Sequence, residues 1–364
     1  MYIKLWIIHK KTKIITAFLG FIAGLIIIEI FYRITYLPPG STTGYHSRLG
    51  WANYPNTKGI KLCVNNKIFY AYDNGGFRET GGPLNENNNN LLIIGDSFMD
   101  GIEVADTSHI QRYLREKLCD MGFNVYVYGV SGYGTDQEAL YVIDSMKIYH
   151  WKVVGIAFFV GNDYGNNLEK YYKIATKTYY KPYFILEEGK IILKNVPVPR
   201  EDINQLIYFL REHTSTYRYI KEMIFPRIEV LRRKWLAGNN PQLIVTSDFD
   251  DTKDREYSIK ITEAILCYLN DELATNSVSF FVIIIPTKEQ LREFRQYHSI
   301  KVLEEICSRH NIPYLNLYNI FLKLSQNPAN EFYIESEGHF SEKGHYIISL
   351  AIVDFLKKQM ENNT

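Results

Sequence analysis

The chain has 364 residues, 46% of them hydrophobic and 22% charged, which is an ordinary composition for a globular protein. Its 41 Lys and Arg residues balance 40 Asp and Glu residues, and there is no dense basic stripe, so we expect no nucleic-acid partner. The four cysteines (Cys63, Cys119, Cys267 and Cys307) lie far apart without a CxxC pair, so no zinc site is expected and no disulfide can be assigned.

A long apolar segment lies near the amino terminus. Residues 14–32 (IITAFLGFIAGLIIIEIFY) carry a single charge, Glu29, and are numerous enough to cross a hydrocarbon core of about 30 Å. Four lysines precede the segment and only Arg33 follows closely, which predicts a cytoplasmic amino terminus. A cleaved signal peptide usually has a shorter apolar stretch and an A-x-A site, which does not follow here. We therefore predict a cytoplasmic tail at 1–13, a transmembrane anchor at 14–32 and a periplasmic or extracellular remainder.

Residues 33–90 are predicted to be a linker and lead-in segment, and residues 91–364 an α/β domain. After the polar run NENNNN, five apolar strand candidates alternate with helical patterns. One helical pattern spans about 107–121, another begins with a capping-box pair at Thr135 and Glu138, and others span 255–273 and 341–358. This alternation predicts a parallel sheet covered on both faces by helices. The strand candidates are LLIIG (91–95), VYVYG (125–129), VVGIAFFV (153–160), SFFVIIIP (279–286) and PYLNL (313–317).

A large, mainly helical insertion is predicted between the third and fourth strands. About 115 residues lie between them, far more than one crossover connection needs. Residues 202–235 have a helical pattern, and the Glu-Glu-Gly at 187–189 suggests a β-hairpin. We assign 164–250 to the insertion. It is either a substrate-binding lid or a helical buttress.

Polar residues follow the predicted strands at one edge of the sheet. Ser97 follows the first strand, Gly132 the second and Asn162 the third, while His339 precedes the last helix. In open α/β sheets, ligands bind beyond the carboxyl ends of the strands. These four residues are therefore candidates for one common site.

Ser97 and His339 suggest nucleophilic catalysis. A serine hydroxyl is a weak nucleophile that needs an adjacent base, usually histidine. The histidine in turn needs an acceptor on its other ring nitrogen, and Glu337 is the predicted acceptor, with Glu335 as the other candidate. Glu337 could alternatively serve only the amino terminus of the following helix.

The same edge could also stabilise an oxyanion. The backbone N–H groups of Ser97 and Gly132 and the side-chain amide of Asn162 could supply three donors to a tetrahedral intermediate. Glycine at position 132 would allow the backbone to approach the reacting atoms closely. Asp96 and Asp163 are predicted to support their loops through hydrogen bonds to backbone groups.

The blocks GDSF, SG, GND and a late carboxylate-Gly-His resemble, in order and spacing, the four blocks of the SGNH (GDSL-type) esterases and acyltransferases. The resemblance implies a three-layer, flavodoxin-like SGNH hydrolase fold, with Ser97 as nucleophile and oxyanion donor, and with Gly132, Asn162 and His339 in the other family roles. The family usually carries Asp three residues before the histidine, where this chain has Ser336. A subgroup similar to sugar O-acetyltransferases has Asp-Gly-His, which Glu337 matches in spacing.

Upstream, RLGWANYPN and DNGGFR are similar to the lead-in of membrane-anchored members, which resemble proteins found with polysaccharide biosynthesis. The resemblance thus implies a serine-dependent hydrolase of O-acyl groups, above all O-acetyl groups, on envelope carbohydrate. A polysaccharide O-acetyltransferase with the same Ser/His site is one alternative, and a non-catalytic envelope assembly or binding protein is another. The expected partners are an acylated carbohydrate and, through the anchor, the membrane. Neither a metal nor an organic cofactor is expected.

Overall fold

The structure, a computed structural model, describes most of the chain. The elements of the central domain alternate between strands and helices in the predicted order. The described residues are 2–35, 42–62, 67–174, 177–200, 205–225, 227–228, 254–294, 298–335 and 338–362. The strands are β1 (Thr43–His46), β2 (Gly50–Asn53), β3 (Lys58–Leu62), β4 (Lys67–Ala71), β5 (Asn89–Gly95), β6 (Phe123–Gly129), β7 (Trp151–Phe159), β8 (Tyr171–Ile174), β9 (Lys177–Tyr180), β10 (Tyr183–Glu187), β11 (Lys190–Lys194), β12 (Ser279–Ile285) and β13 (Tyr314–Asn316).

The helices flank these strands. Short 3₁₀ turns lie on either side of α3, at Asp106–Ser108 and Cys119–Met121, and a π turn spans Ile220–Ile224. The helices are α1 (Tyr2–Thr35), α2 (Ser97–Asp100), α3 (Ile110–Leu118), α4 (Thr135–Tyr149), α5 (Asp163–Asn166), α6 (Gln205–His213), α7 (Ser215–Tyr219), α8 (Arg255–Thr275), α9 (Lys288–Arg292), α10 (His298–Arg309), α11 (Leu317–Leu324), α12 (Pro328–Phe332) and α13 (Glu342–Asn362).

A five-stranded parallel sheet forms the centre of the domain. Its strand order is β6-β5-β7-β12-β13, and every neighbouring pair is parallel. Numbered within the sheet, this is the 2-1-3-4-5 order of flavodoxin-like folds. Helix α3 packs against α13 and α4 packs against α8, which gives a three-layer α/β arrangement. The predicted fold class and its five strands are confirmed.

The sheet interior explains why the strand sequences are continuously apolar. Leu91, Leu92, Ile93 and Ile94 on β5 all have no solvent exposure, because helices cover both faces of this interior strand. Each such side chain contributes roughly 1.5–3 kcal/mol by leaving water. Hydrophobic burial along β5 therefore fixes the position of the residues that follow it.

The predicted capping box of α4 is wrong, although the helix does begin at Thr135. Gly134 is the N-cap, and no side chain caps this end of the helix. The Glu138 carboxylate is fully buried instead, and neither of its oxygens has a hydrogen-bond partner among the described residues. Burial within the domain, rather than capping, thus sets the position of this side chain.

The described part of the insertion begins with two β-hairpins. Strands β8 and β9 form the first, and β10 pairs with β11 around the predicted turn, where Glu188 and Gly189 both have positive φ. The predicted hairpin is confirmed, as is the crossover helix, which is α8. Residues 205–225 are helical as expected, while 226 and 229–253 lie outside the described residues. The lead-in segment forms the antiparallel pairs β1–β2 and β3–β4.

The chain divides into two compact units. One comprises residues 42–201 and 246–364 and contains the sheet, while the other comprises 1–41 and 202–245. In the second unit, Lys10–Thr35 of α1 is long enough and apolar enough to cross a membrane.

Candidate active site

The carboxyl ends of three adjacent strands bring the predicted site residues to one edge of the sheet. β5 ends at Gly95 and is followed by Asp96 and Ser97, and its neighbours β6 and β7 lead into Gly132 and Asn162. Because the strands are parallel, these three turns lie side by side. The register aligns Gly95 with Gly129 on β6 and with Ala157 on β7.

Ser97 contacts His339 directly. The Nε2 atom of His339 lies 2.8 Å from the Ser97 hydroxyl oxygen, although 242 positions separate the two residues in the chain. Asp96 caps the short helix α2 by accepting a hydrogen bond from the Phe98 N–H, which leaves Ser97 as the first residue of that helix. The geometry therefore pairs a serine with a base within proton-transfer distance.

The loop before α13 holds His339 in place. The carbonyl of His339 accepts a 2.7 Å hydrogen bond from the Ile334 N–H, and Tyr333 pairs with Phe340 in an isolated β-bridge. The ring of Phe98 packs edge-on against the imidazole, with centroids 5.2 Å apart. The backbone hydrogen bonds of this loop and the ring of Phe98 together limit the orientations of the imidazole.

The second ring nitrogen of His339 faces Glu103, which the sequence analysis did not identify. The Nδ1 atom lies 3.4 Å from Glu103 Oε1, and the same oxygen lies 3.3 Å from the Lys61 ammonium. The Glu103 side chain is only 4% exposed. A buried carboxylate beside Nδ1 favours the tautomer with the proton on Nδ1, which leaves Nε2 free to accept the serine proton.

The two carboxylates predicted for this role are located as follows. Glu337 lies outside the described residues. Glu335 is exposed, and its backbone carbonyl accepts a 3.1 Å hydrogen bond from the Lys288 ammonium. Within the described part of the chain, Glu103 is the carboxylate paired with Nδ1 of His339.

The residues predicted to donate to the oxyanion have the following local geometry. Gly132 is buried and has a φ of +81°, a left-handed conformation that glycine adopts without strain. The Asn162 amide donates a 2.8 Å hydrogen bond to Asp96 Oδ2 through one of its two N–H groups. Asp163 accepts a 2.8 Å hydrogen bond from the Phe159 N–H at the end of β7. Asp96 and Asp163 thus contact the turns that carry Ser97 and Asn162.

The lead-in segment supports these turns. The Trp51 indole donates to the Ser131 carbonyl at 3.1 Å, and the Asn53 amide donates to the Gly129 carbonyl at 2.9 Å. The buried Arg78 guanidinium donates to the Asp100 carbonyl at 2.7 Å. The sequence does not reveal this supporting role, because the bonds to the sheet edge connect residues far apart in the chain.

Helix α2 lies unusually close to the end of β6. A Cβ atom at Gly129 would fall 1.8 Å from the Asp100 amide nitrogen, so glycine is required at this position. The Asp100 carboxylate is fully buried and accepts hydrogen bonds from the hydroxyls of Tyr72 and Ser131. Burial raises the pKa of Asp100 to about 6, despite these bonds.

Further carboxylates are buried behind the site. Burial raises the pKa of Asp163 and Glu138 well above their usual range, and the negative charge of Asp96 adds to this effect on both. Asp136 is paired with the Lys181 ammonium at 2.8 Å. The stability of the region beneath these turns therefore depends on whether these carboxyl groups are protonated.

His345, in the first turn of α13, is buried. Its ring packs against His109 with centroids 5.3 Å apart, and a Cβ atom at Gly101 would contact both rings. Burial lowers the pKa of His345 to about 3. Among the residues that the structure describes, no group of three or more His, Cys, Asp or Glu side chains is arranged to hold a metal ion.

Comparisons with known proteins gave similarity at the level of solved structures only. No protein-family model and no curated protein matches the sequence. A lipase/acylhydrolase from Enterococcus faecalis is 14% identical, covers 74% of this chain and 96% of its own, and has a TM-score of 0.39. A GDSL-like lipase from Bacteroides thetaiotaomicron is 11% identical over 77% of this chain and 92% of its own, with a TM-score of 0.37.

A third solved structure is a catalytic mutant of an acetylxylan esterase from Geobacillus stearothermophilus. It is 13% identical over 73% of this chain and 93% of its own, with a TM-score of 0.39. The flavodoxin-like fold of the present chain is established by its own strand order and register.

Proposed function

We propose that the protein is a serine-dependent ester hydrolase of the SGNH type. The observation that carries the proposal is the 2.8 Å contact between Ser97 and His339, with Glu103 on the other side of the imidazole. A nucleophile, a base and a group that orients the base are the parts that acyl transfer requires.

The reaction would proceed in two halves. The Ser97 hydroxyl oxygen attacks the ester carbonyl carbon while His339 Nε2 takes the hydroxyl proton, and the leaving alcohol then departs with that proton. In the second half, water attacks the acyl-enzyme, gives its proton to Nε2 and releases the carboxylic acid as Ser97 regains its proton. Glu103 stabilises the imidazolium that forms in each half.

The oxyanion of each tetrahedral intermediate would be bound by the backbone N–H groups of Ser97 and Gly132 and by the Asn162 amide. Asp96 acts here as a positioning residue, because its carboxylate holds one N–H of Asn162 and so fixes the direction of the other. Loss of one such donor typically costs about 3 kcal/mol of transition-state stabilisation.

The proposed substrate is an O-acetylated carbohydrate of the cell envelope, and the proposed location is outside the cytoplasm, anchored by α1. The support for the location is the apolar helix preceded by lysines. The support for the substrate is the likeness of RLGWANYPN and DNGGFR to membrane-anchored SGNH members. Release of acetate from acetylated sugars, measured with and without an acceptor sugar, separates hydrolysis from transfer to a second sugar.

Labelling with a fluorophosphonate probe tests the nucleophile. We expect the detergent-solubilised full chain to be labelled and Ser97→Ala to lose labelling completely, because the probe forms a covalent bond with an activated serine. Ser131→Ala is the matched control, since Ser131 lies at the same sheet edge and its hydroxyl bonds to Asp100. The proposal is wrong if the wild type is not labelled or if Ser97→Ala is labelled equally.

A further inference from the structure

The second unit contains a contact between α1 and the insertion, far apart in sequence. The Glu29 carboxylate accepts hydrogen bonds from the Ser215 N–H at 2.8 Å, the Thr216 N–H at 3.0 Å and the Thr216 hydroxyl at 2.8 Å. Arg33 forms an ion pair with the same carboxylate at 2.7 Å. The single charge of the apolar segment is therefore neutralised at the amino terminus of α7.

Further contacts extend this attachment toward the end of α1. The rings of Tyr32 and Tyr219 stack with centroids 4.2 Å apart, and the Arg33 guanidinium donates to the His213 carbonyl at 2.5 Å. The end of α6 and helix α7 thus contact the last two turns of α1, and the π turn follows directly from α7.

The depth of this contact follows from helix geometry. Glu29 lies three residues before the end of the apolar segment at 32, which at 1.5 Å per residue is about 5 Å along the helix axis. If α1 crosses the bilayer, Glu29 lies near the boundary between the acyl chains and the headgroups. Whatever binds Glu29 must lie at the same depth.

The segment fixed there exposes large apolar side chains. Leu206 and Phe209 on α6 are 63% and 54% exposed, and Phe225 after the π turn is 56% exposed. Ile220 and Ile224 are also exposed. Five exposed large apolar side chains within 20 residues of helical chain are unusual for a surface in water, and at this depth they fit a lipid interface.

We infer that residues 205–225 form a second membrane-contacting element, which lies in the headgroup–acyl boundary of the leaflet where α1 ends. The occupant of the apolar surface is lipid, because the Glu29 contacts place the surface at bilayer depth. The inference rests on α1 as a membrane anchor and is independent of the ester chemistry of the other unit.

Site-specific photo-cross-linking tests it in the full chain. Phe209 or Phe225 is replaced by p-benzoylphenylalanine, and the protein is illuminated in liposomes of phosphatidylethanolamine and phosphatidylglycerol. Phe18 on α1, 62% exposed, is the positive control, and Phe69 on β4, 65% exposed, is the matched aromatic control in the other unit. The measurement is the mass of phospholipid adducts.

We expect phospholipid adducts at Phe209 and Phe225 in at least half the yield found at Phe18, and none at Phe69. Adducts at Phe18 without adducts at Phe209 or Phe225 would overturn the inference, as would cross-links from these positions to a second copy of the chain. Absence of adducts at Phe18 would also overturn it, because α1 would then not be in the bilayer. Fluorophosphonate labelling of the same samples reports on the ester site separately.

Discussion

Among single residues, Glu103 distinguishes this site from the one the sequence suggests. It lies six residues after Ser97, beyond the turn at Gly101, and its carboxylate contacts His339 on the opposite side of the imidazole from the serine. Lys61 shares the carboxylate and offsets part of the cost of burying it. A short turn after Ser97 thus supplies the carboxylate that lies beside the imidazole.

The change Glu103→Gln tests this role. Glutamine keeps the size of the side chain but removes the negative charge that stabilises the imidazolium. We expect kcat for hydrolysis of p-nitrophenyl acetate to fall about 10²–10⁴-fold, the usual contribution of general acid–base catalysis, with KM changed less than about threefold. Steady-state kinetics of the solubilised full chain, together with the thermal unfolding midpoint, would separate a positioning role from a loss of folding.

Two other carboxylates provide the comparison. Glu335→Gln alters an exposed side chain and should leave kcat within about twofold of the wild type. Glu337→Gln tests the carboxylate predicted from the sequence. A large fall in kcat for Glu337→Gln with none for Glu103→Gln would assign the role to Glu337 instead.

Of the individual residues, the sequence indicates those adjacent to strand ends and misses those that depend on tertiary contacts. Ser97, Gly132 and Asn162 each follow a strongly apolar strand, so their common edge could be inferred from topology. Glu103 has no such marker, because it lies in an irregular turn whose path depends on packing around Gly101. The position of Lys61 likewise depends on how the β3–β4 pair docks.

For the secondary-structure elements, the five sheet strands and α8 could be predicted because burial on both faces and helical periodicity are local signals. The capping box at Thr135 and Glu138 could not be judged from the sequence, because the pattern does not reveal that the Glu138 carboxylate is buried. The hairpin β8–β9 was missed because its strands have only four residues each. They are rich in tyrosine and lysine and do not show a regular alternation of apolar and polar residues.

The close contact between α2 and β6 leads to a prediction about pH. Burial raises the pKa of Asp100 from its ordinary value of 3.8 to about 6, so between these values the native state binds more protons than the unfolded state. The contribution of Asp100 to stability is therefore present below pH 4 and is lost as pH rises to 6. The size of this loss is about 3 kcal/mol.

Asp100→Asn should remove this dependence, because asparagine stays neutral and still accepts a hydrogen bond from Tyr72. Urea denaturation at pH 4, 5, 6 and 7 measures the unfolding free energy of both proteins. As pH rises over this range, the wild type should lose up to about 3 kcal/mol of stability relative to the variant. His109 and His345 titrate in both proteins, so their effects cancel in the difference.

Asp354→Asn, at an exposed carboxylate paired with Lys358, is the control and should show no such shift. A pH-independent difference for Asp100→Asn would contradict the prediction.

Across the sheet-containing unit, the insertion is fixed to the domain by a buried ion pair. Lys181, between β9 and β10, has a side chain only 2% exposed, and its ammonium contacts Asp136 in the first turn of α4 and the Asn166 carbonyl, both at 2.8 Å. The Asp136 side chain has no exposure. The position of the hairpins on this unit therefore depends on a charge pair that water cannot screen.

Removing one member of the pair should destabilise the protein much more than removing both. Lys181→Met leaves the Asp136 carboxylate buried without its cation, which we expect to cost about 3–5 kcal/mol. The double variant Asp136→Asn/Lys181→Met buries no charge and should recover most of that loss.

The control Lys358→Met breaks an exposed pair, 66% exposed on each side, and should cost less than about 1 kcal/mol. Urea denaturation in detergent, followed through the fluorescence of the buried Trp51 and Trp151, measures all three. A cost below 1 kcal/mol for Lys181→Met, or a double variant no more stable than the single one, would show that the ion pair does not hold the hairpins in place.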